Sequence, residues 1–562
     1  MSPEEQLNKP ASRFAARVPL SVVSTLAVFL VPALFVLWPQ PLWGQQTHGA
    51  KSNSRKHPKL STPLAALARS IPQQRGAIAQ GERIAPPPDF SVNKLPKLVR
   101  DAARAGLMRI NKDAEVQVYF RIAELTEGTL QQLRAVGVKV ELSNTQQRIV
   151  QARVPVSRLE EVAALSSVQS IRLPDYRLRN TGSVDTEGDS ILKTDQVRSL
   201  LGVDGTGVRV GVISDGIRGI FATSCATCDG VVGGPISTDD LPVATGTRDI
   251  NGILISVSGG LTAQSFRSDE DLEVDPGPNC ASPSPGAGAE GTALLEIVHD
   301  LAPGAQLFFS NFDTSLEFAQ AVNFLAANTD VVVDDIGFLT PPYDGTSFVS
   351  TSTADALNNN NNPIRAYITS AGNFARNHYQ ESFVDSGVDG FSLTGLAGML
   401  HLFQPTANTS DILGLGAREF DPIFLPNGAT VNIFLDWDDP FGASANDYDL
   451  FLMRDSTETV VVGSENFQTG TQDPVERFSY TNDTGSDDSF RILIQNFVNL
   501  ASVRNLDMFI FQSGCDAAGP VSLGPSGEKH NFNTIGSSVT AQSDAGGSPV
   551  SVISVGAIDQ AD

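Results

Sequence analysis

The chain predicts an α/β fold, a doubly wound mostly parallel sheet, with a small α+β domain ahead of it and a β-sandwich inserted into it. Three observations predict this architecture. From Ser190, the apolar runs Val208–Ile213, Gln306–Phe309, Val331–Val333 and Ala366–Thr369 alternate with helical stretches at Gly291–Leu301 and Leu316–Ala327. Strands that are apolar on both faces belong to a parallel sheet covered by helices. Some sixty residues upstream of this region read β-α-β-β-α-β, and beyond Phe383 short alternating strands separated by Gly/Asn/Asp turns read as a sandwich.

The elements follow in chain order. In Met1–Gln46, Lys9, Arg13 and Arg17 precede the apolar run Val18–Trp38 and then Gly44-Gln-Gln46, the pattern of a cleaved export signal. The run also has the length to span a bilayer, so an uncleaved membrane anchor is the alternative. Residues 47–110 carry Pro, Ser, Lys and Arg without periodicity and predict a flexible linker. Within 111–180, strands are expected at Val116–Ile122, Val138–Leu142, Arg148–Val154 and Val168–Leu173. Helices are expected at Thr126–Val136, with Leu130 and Leu133 inward, and at Val156–Leu165, which together make a split βαβ module. Residues 190–383 hold the first part of the α/β domain. Residues 384–520 hold the sandwich, with strands at Ala429–Asp436, Tyr448–Arg454, Thr459–Val462, Val475–Tyr480, Phe490–Gln495 and Leu506–Gln512. Within 521–562, Val552–Ala557 returns to the α/β texture.

A length of 562 residues and a formal net charge of -24 suit a multidomain exported protein and argue against a nucleic-acid binder. Any membrane association is expected through the N-terminal segment alone. Export permits disulfides among Cys225, Cys228, Cys280 and Cys515, which allow three pairings. Cys225-Ala-Thr-Cys228 has no second pair at zinc-site spacing, so a loop disulfide is the expectation.

Three segments carry the chemistry. Gly205-Thr-Gly-Val-Arg-Val-Gly-Val-Ile-Ser-Asp-Gly216 is a strand ending in an aspartate. Glu290-Gly-Thr-Ala-Leu-Leu-Glu-Ile-Val-His-Asp-Leu-Ala-Pro-Gly-Ala305 is a helix with a terminating turn. Ile368-Thr-Ser-Ala-Gly-Asn373 is a strand ending in Ala-Gly-Asn. Any one is a common turn. In this order, and with Val552-Ile-Ser-Val-Gly-Ala557 behind them, they resemble the subtilisin/sedolisin-like serine peptidases over roughly Ser190–Phe383 and Val550–Asp562.

The resemblance implies an exported serine-type endopeptidase with a subtilisin-like sheet. The β-α-β-β-α-β module would be its inhibitory propeptide-like domain, a protein or peptide would be its substrate, and no cofactor is required. It assigns Asp215 as orienting acid, Glu290 as base and Asn373 as oxyanion donor. Asp334 and Asp335, with Gly337 just beyond, fall where the family's strand lines the substrate cleft; a substrate-binding role and a plain strand-end turn both stay open.

The chain departs from the family at three points. Val-Ile-Ser-Asp-Gly replaces Val-Ile-Asp-Ser-Gly, moving the aspartate one place along the strand, and a one-residue shift reverses the face. Glu290 stands where subtilisins have histidine, and Leu294 stands where sedolisins have the partner carboxylate, so the pair is a hybrid of Asp215 and Glu290. Two neighbouring carboxylates can share a proton, and a glutamate base, about two pKa units below histidine, implies an acid-shifted optimum. His299, nine residues further at about 100° each, falls on the opposite helical face from Glu290, with Leu294, Ile297 and Leu301 expected on Glu290's side, towards the sheet. Third, no Gly-Thr-Ser-x-Ala-x-Pro-His nucleophile motif occurs. The expectation is a truncated, inactive product, with a non-catalytic secreted or surface binder on the same scaffold as the alternative.

The sandwich carries Phe434-Leu-Asp-Trp-Asp-Asp-Pro-Phe441 and Asn446-Asp-Tyr-Asp-Leu-Phe451, resembling modules appended to secreted bacterial peptidases. Asp436, Asp438, Asp439, Asp447 and Asp449 are candidate calcium ligands, since hard cations take several oxygens, and a solvated acidic loop is the competing reading.

Overall fold

Period-two alternation in Glu115–Ile122 sends Val116, Val118, Phe120 and Ile122 into a buried cluster and leaves Gln117, Tyr119 and Arg121 on the other face. The structure is a computed structural model. It describes residues 56–76, 84, 86–87, 90–176, 178–179, 188–220, 241, 255–257, 261–273, 288–339, 345–374, 376–512, 521, 523, 528–534 and 552–556. The chain divides into Met1–Lys51, outside the described residues, and Ser52–Asp562. The N-terminal export or anchor segment and all four cysteines therefore lie outside them; among the described residues no helix is long and apolar enough to cross a membrane.

The first module is a four-stranded antiparallel sheet in the order Lys139–Asn144, Ile149–Pro155, Glu115–Ile122, Val168–Arg172. The helices Glu127–Ala135 and Leu159–Ala163 make the two crossovers. Thr126 caps the first of them, accepting the Thr129 N–H at 3.2 Å. Leu133 is fully buried and Leu130 packs partly against the same core.

The segment expected to be a flexible linker differs from that expectation. Within 47–110, Thr62–Ser70 and Lys97–Arg104 are helices. Leu60, Leu64, Leu67 and Val99 are buried in the module's core with Val118, Val154 and Ile171. Their apolar residues are few and Pro-flanked, so local periodicity is weak, and their burial comes from a sheet that follows them in sequence.

The central sheet runs Ile553–Val555, Ala366–Ser370, Val331–Asp334, Arg209–Ser214, Gln306–Asn311, Leu261–Ser265, all parallel, with Ile255–Val257 antiparallel at the edge. Neighbouring residues serve opposite faces. Ile213 and Phe308 pack with helices Ser315–Asn328 and Phe348–Asn358, while Val212, Leu307 and Phe309 pack with Leu295 of helix Glu290–Leu301. Helices thus cover both faces, as a parallel sheet demands.

The chain leaves this sheet after Ser370 and re-enters it at Ile553. Between them, His378–Ser382, Asn505–Gln512, Thr430–Trp437 and Val475–Thr481 form one antiparallel sheet. The second contains Asp385–Asp389, Gly398–His401, Asp488–Phe497, Tyr448–Arg454 and Thr459–Ser464, with Asp421–Leu425 also paired to Asp488–Phe497. Ile433, Leu435, Leu450, Leu452, Ile492, Ile494, Met508 and Ile510 fill the space between the sheets. On the outer face, Phe434 and Phe509 pack with Leu339 and Phe374, so the sandwich abuts the loop that carries Asn373.

His401 sits in the sandwich core, fully buried. The Val384 N–H donates to Nδ1 at 3.0 Å, so in the neutral ring the proton is on Nε2, which donates to Tyr379 Oη at 2.6 Å. Burial pushes this imidazole down to about 3. The folded value lies below the free value of about 6.5, so its stabilisation is complete above that pH and lost as pH falls towards 3, by up to about 1.4 kcal/mol per pH unit. Thermal unfolding across pH 7 to 4 is expected to show a falling midpoint, and His401→Phe to flatten that fall; parallel profiles would refute the assignment.

Candidate functional site at the carboxyl edge of the parallel sheet

The chain crosses from Gln306–Asn311 over Arg209–Ser214 to Val331–Asp334, and in open α/β sheets ligands bind beyond the carboxyl ends of the strands at such a reversal of strand order. Asp215, Asp335 and Asn373 each lie at or just beyond the end of one of three adjacent strands, Arg209–Ser214, Val331–Asp334 and Ala366–Ser370.

The ladder ends at Ser214, paired with Asn311, so Asp215 lies outside it and alternation no longer fixes its side chain. The fully buried carboxylate caps helix Glu290–Leu301: Oδ2 accepts the Gly288 N–H at 2.8 Å, and Oδ1 accepts those of Glu290 at 3.1 Å and Gly291 at 3.4 Å. The bonds that join Asp215 to Glu290 and its neighbours thus run to backbone N–H groups. Asn311, which sequence reasoning missed, donates through Nδ2 to the Asp271 carbonyl at 2.8 Å and the Asp215 carbonyl at 3.3 Å, steadying the turn from below.

Glu290 is the first residue of its helix and partly buried. The face the helix turns to the sheet is rotated from the one expected, keeping Leu294 but not Ile297 or Leu301. Gly291, Thr292 and Leu295 are buried and the partly buried Leu294 and Val298 pack on the same core, to which Ile297 and Leu301 do not belong. Hydrophobic counting gave Gly291 no weight, yet Gly291 lies on the face nearest the sheet. His299 is half-buried rather than outward in solvent.

Asn373 is exposed, in a turn where Gly372 takes φ +77°, the left-handed region open to glycine, with the Phe374 ring folded back against it. Asp335 is half-buried and Gly337 buried. Ile336–Gly337 pairs antiparallel with Leu178–Arg179, Gly337 opposite Leu178 and Ile336 opposite Arg179. Asp334, the other residue expected along the cleft, is buried and accepts hydrogen bonds from Tyr367 and Thr369 within the sheet.

The split βαβ module docks its polar face on the start of helix Ser315–Asn328. Tyr119 Oη accepts the Leu316 N–H at 3.2 Å, Thr314 Oγ1 donates to Gln151 Oε1 at 2.7 Å, and Gln151 Nε2 donates to Glu317 at 2.9 Å. Burial, then the charge of Asp313, pushes the Glu317 carboxyl up to about 7.

The calcium candidates do not converge as a ligand set. Asp438 accepts from the Asn505 N–H and side-chain amide, at 3.0 and 3.2 Å, and Asp439 from Ser444, Asn446 and Arg504. Asp436 faces Asp507 across the ladder, and burial, then that charge, raises its pKa well above the usual range. Asp447 and Asp449 receive the ammonium of Lys56. Proximity in sequence suggested one cluster, but pleating and turns send Asp436, Asp438 and Asp439 to separate partners and bring together Asp447 and Asp449 alone of the five, on Lys56. Among the described residues no group of three or more His, Cys, Asp or Glu side chains is placed to hold a metal ion.

No family model and no curated protein matches this chain. Solved structures to which it is similar include the CspB protease of Clostridium perfringens, at 11% identity and TM-score 0.32 over 67% of this chain and 74% of that one. The epidermin leader peptide processing serine protease EpiP of Staphylococcus aureus gives 11% and 0.27 over 46% and 61%. Fervidolysin of Fervidobacterium pennivorans, a keratinolytic enzyme related to subtilisin, gives 9% and 0.25 over 76% and 96%. At these values the functional reading rests on the sheet edge itself.

Proposed function

We propose that this is an exported serine-type endopeptidase scaffold of the subtilisin/sedolisin-like type, with its peptide cleft along Asp335–Gly337. One observation carries the reading. An extended segment, Leu178–Arg179, already lies antiparallel on Ile336–Gly337, beside the strand ends that bear Asp215 and Asn373. A peptide substrate bound by strand addition would make the same backbone bonds. In this reading the module that precedes Leu178 is a propeptide-like domain whose tail fills the cleft. Glu290 takes the proton of the nucleophile, Asn373 steadies the oxyanion, and Asp215 holds the helix that presents Glu290. The serine would come from a segment following Ile553–Val555, and the sequence here contains none of that motif.

The non-catalytic binder is favoured by a different observation: the Asp215 carboxylate is engaged by three backbone N–H groups, an arrangement that serves the fold without any reaction. One experiment separates the outcomes. A labelled peptide with the sequence of Asp175–Asn180 is titrated into the chain and into the Leu178→Pro, Arg179→Pro double variant, which lacks both backbone N–H donors. The variant is expected to bind at least tenfold more tightly; equal or absent binding removes the cleft assignment. In a form that carries the serine segment, Glu290→Gln is expected to lower hydrolysis by about a thousandfold or more while peptide binding changes little. Binding without any hydrolysis in that form decides for the binder.

A further inference from the structure

Lys56 is buried against the outer face of the sandwich's second sheet, its side chain fully buried, 391 residues before the first of its partners. Its ammonium has three N–H donors and no acceptor, and it finds three acceptors: Asp447 Oδ1 at 2.9 Å, Asp449 Oδ1 at 2.7 Å and the Asn466 carbonyl at 3.1 Å. The Phe497 ring centroid is 4.0 Å away and that of Phe467 5.1 Å, so aromatic faces close the remaining sides. We propose that the sandwich contains a receptor pocket for a primary ammonium group, filled in cis by Lys56 and open to a lysine side chain or a small alkylamine when Lys56 is withdrawn.

The pocket belongs to the sandwich alone and is braced without the lysine. Glu476 accepts hydrogen bonds from Ser464, the Asn466 N–H at 2.8 Å and Gln468 at 3.0 Å, fixing the loop that presents the Asn466 carbonyl. The second oxygen of Asp449 is buried with no hydrogen-bond partner, so the site holds acceptor capacity that a buried sheet does not otherwise need. A planar guanidinium, with five donors in a fixed fork, does not match a tripod of acceptors. A divalent cation wants six or more oxygens and meets phenyl rings on one side.

The electrostatics agree with a built cation site. Burial, opposed by Lys56, leaves the Asp447 carboxyl at about 6 and Asp449 well above the usual range, and the two carboxylates outweigh burial to raise Lys56. Emptying the pocket would leave these acids facing each other out of water, which is costly. The Lys56 arm bridges both parts: the Ser61 N–H donates to the Ile171 carbonyl of the first module and the Thr62 N–H to Asn466 Oδ1 of the sandwich at 2.7 Å. The ammonium is therefore the pin by which the N-terminal arm joins two parts of the molecule. This inference stands independently of the peptidase reading.

The test uses the full chain. Lys56→Ala removes the ammonium and three methylenes, leaving space for n-propylamine. The unfolding midpoint is expected to fall by roughly 5–10 °C. n-Propylamine should restore at least half of that loss in a saturable manner, while n-propanol and matched sodium chloride restore none. Asp449→Asn in the same background should abolish the amine response. An unchanged midpoint, or equal recovery with propanol or salt, overturns the proposal, and recovery with calcium chloride in place of the amine overturns it in favour of a metal site. Should Lys56→Ala not accumulate in folded form, Lys56→Met, which keeps the stem, reads the charge alone: a lower midpoint without amine response supports the pocket, and wild-type stability refutes it.

Discussion

Gly291→Ala is expected to destabilise the protein by about 2–3 kcal/mol, although alanine is the better helix former by about 1 kcal/mol. A β-carbon at Gly291 would lie 2.4 Å from Phe309 Cε2 and 2.5 Å from the Gly216 carbonyl oxygen. The ring is rooted in the central sheet, and the carbonyl belongs to the turn that follows Asp215, so neither neighbour is a flexible side-chain end. Relief requires helix Glu290–Leu301 to move off the sheet, which stretches the Glu290 N–H bond to Asp215, now 3.1 Å. One methyl group thus couples core packing to the position of the candidate base. Urea unfolding measures the loss. Phe309→Leu in the same chain should recover part of it, since it relieves the ring contact but not the carbonyl contact. A Gly291→Ala protein at least as stable as the parent would mean that the helix stands further from the sheet than the structure has it.

Asp473→Asn is expected to cost about 3–5 kcal/mol, the range for breaking a buried ion pair from one side. Asp473 Oδ1 meets Arg121 Nη2 at 2.8 Å and Oδ2 meets Arg172 Nε at 2.7 Å, joining the sandwich to the β-α-β-β-α-β module. Burial alone would push this carboxyl up; Arg121 and Arg172 outweigh it and hold it below the usual range. A depressed carboxyl stabilises above its free pKa of about 4, and the contribution is lost as pH falls through the lower folded value, so acid should mimic the substitution. Arg172 keeps Asp175, at 2.7 and 2.9 Å, whereas Asp473 is the residue that answers Arg121. The double variant Asp473→Leu, Arg121→Met is therefore expected to recover most of the loss by replacing the pair with apolar contact. Thermal unfolding reads the energy, and protease sensitivity of residues 56–176 reads whether undocking of the module accounts for it. A single variant within about 0.5 kcal/mol of the parent would assign the pair to the weakly contributing surface class.

Elements whose faces meet uniform, predictable surroundings were legible from the sequence. Tyr448–Arg454 alternates between the inter-sheet core and an outer face, and its strand has the limits expected of it. Val331–Asp334 reads as an apolar run because helices cover both sides. The misreadings have a common cause. The apolar positions of Thr62–Ser70 carry little local pattern, and the sheet that buries them lies beyond residue 114. Gly291 has no hydrophobic side chain to mark it as the innermost position of its helix. The aspartates between Asp436 and Asp449 stand close in sequence, but strand and turn geometry sends them to Asp507, Asn505, Arg504 and Lys56.

The sequence by itself determined the strands and helices with strong periodicity, among them Tyr448–Arg454 and Val331–Asp334, because periodicity is a local consequence of which face loses water. It also named residues that lie at or just beyond the ends of three adjacent strands, Asp215, Asp335 and Asn373. Only the tertiary structure decided what each charged group faces: Asp215 a helix N-terminus, Asp447 and Asp449 a lysine ammonium, Asp473 two guanidinium groups. The physical reason is that desolvation and pairing set the behaviour of a carboxylate, and both depend on partners that can lie hundreds of residues away.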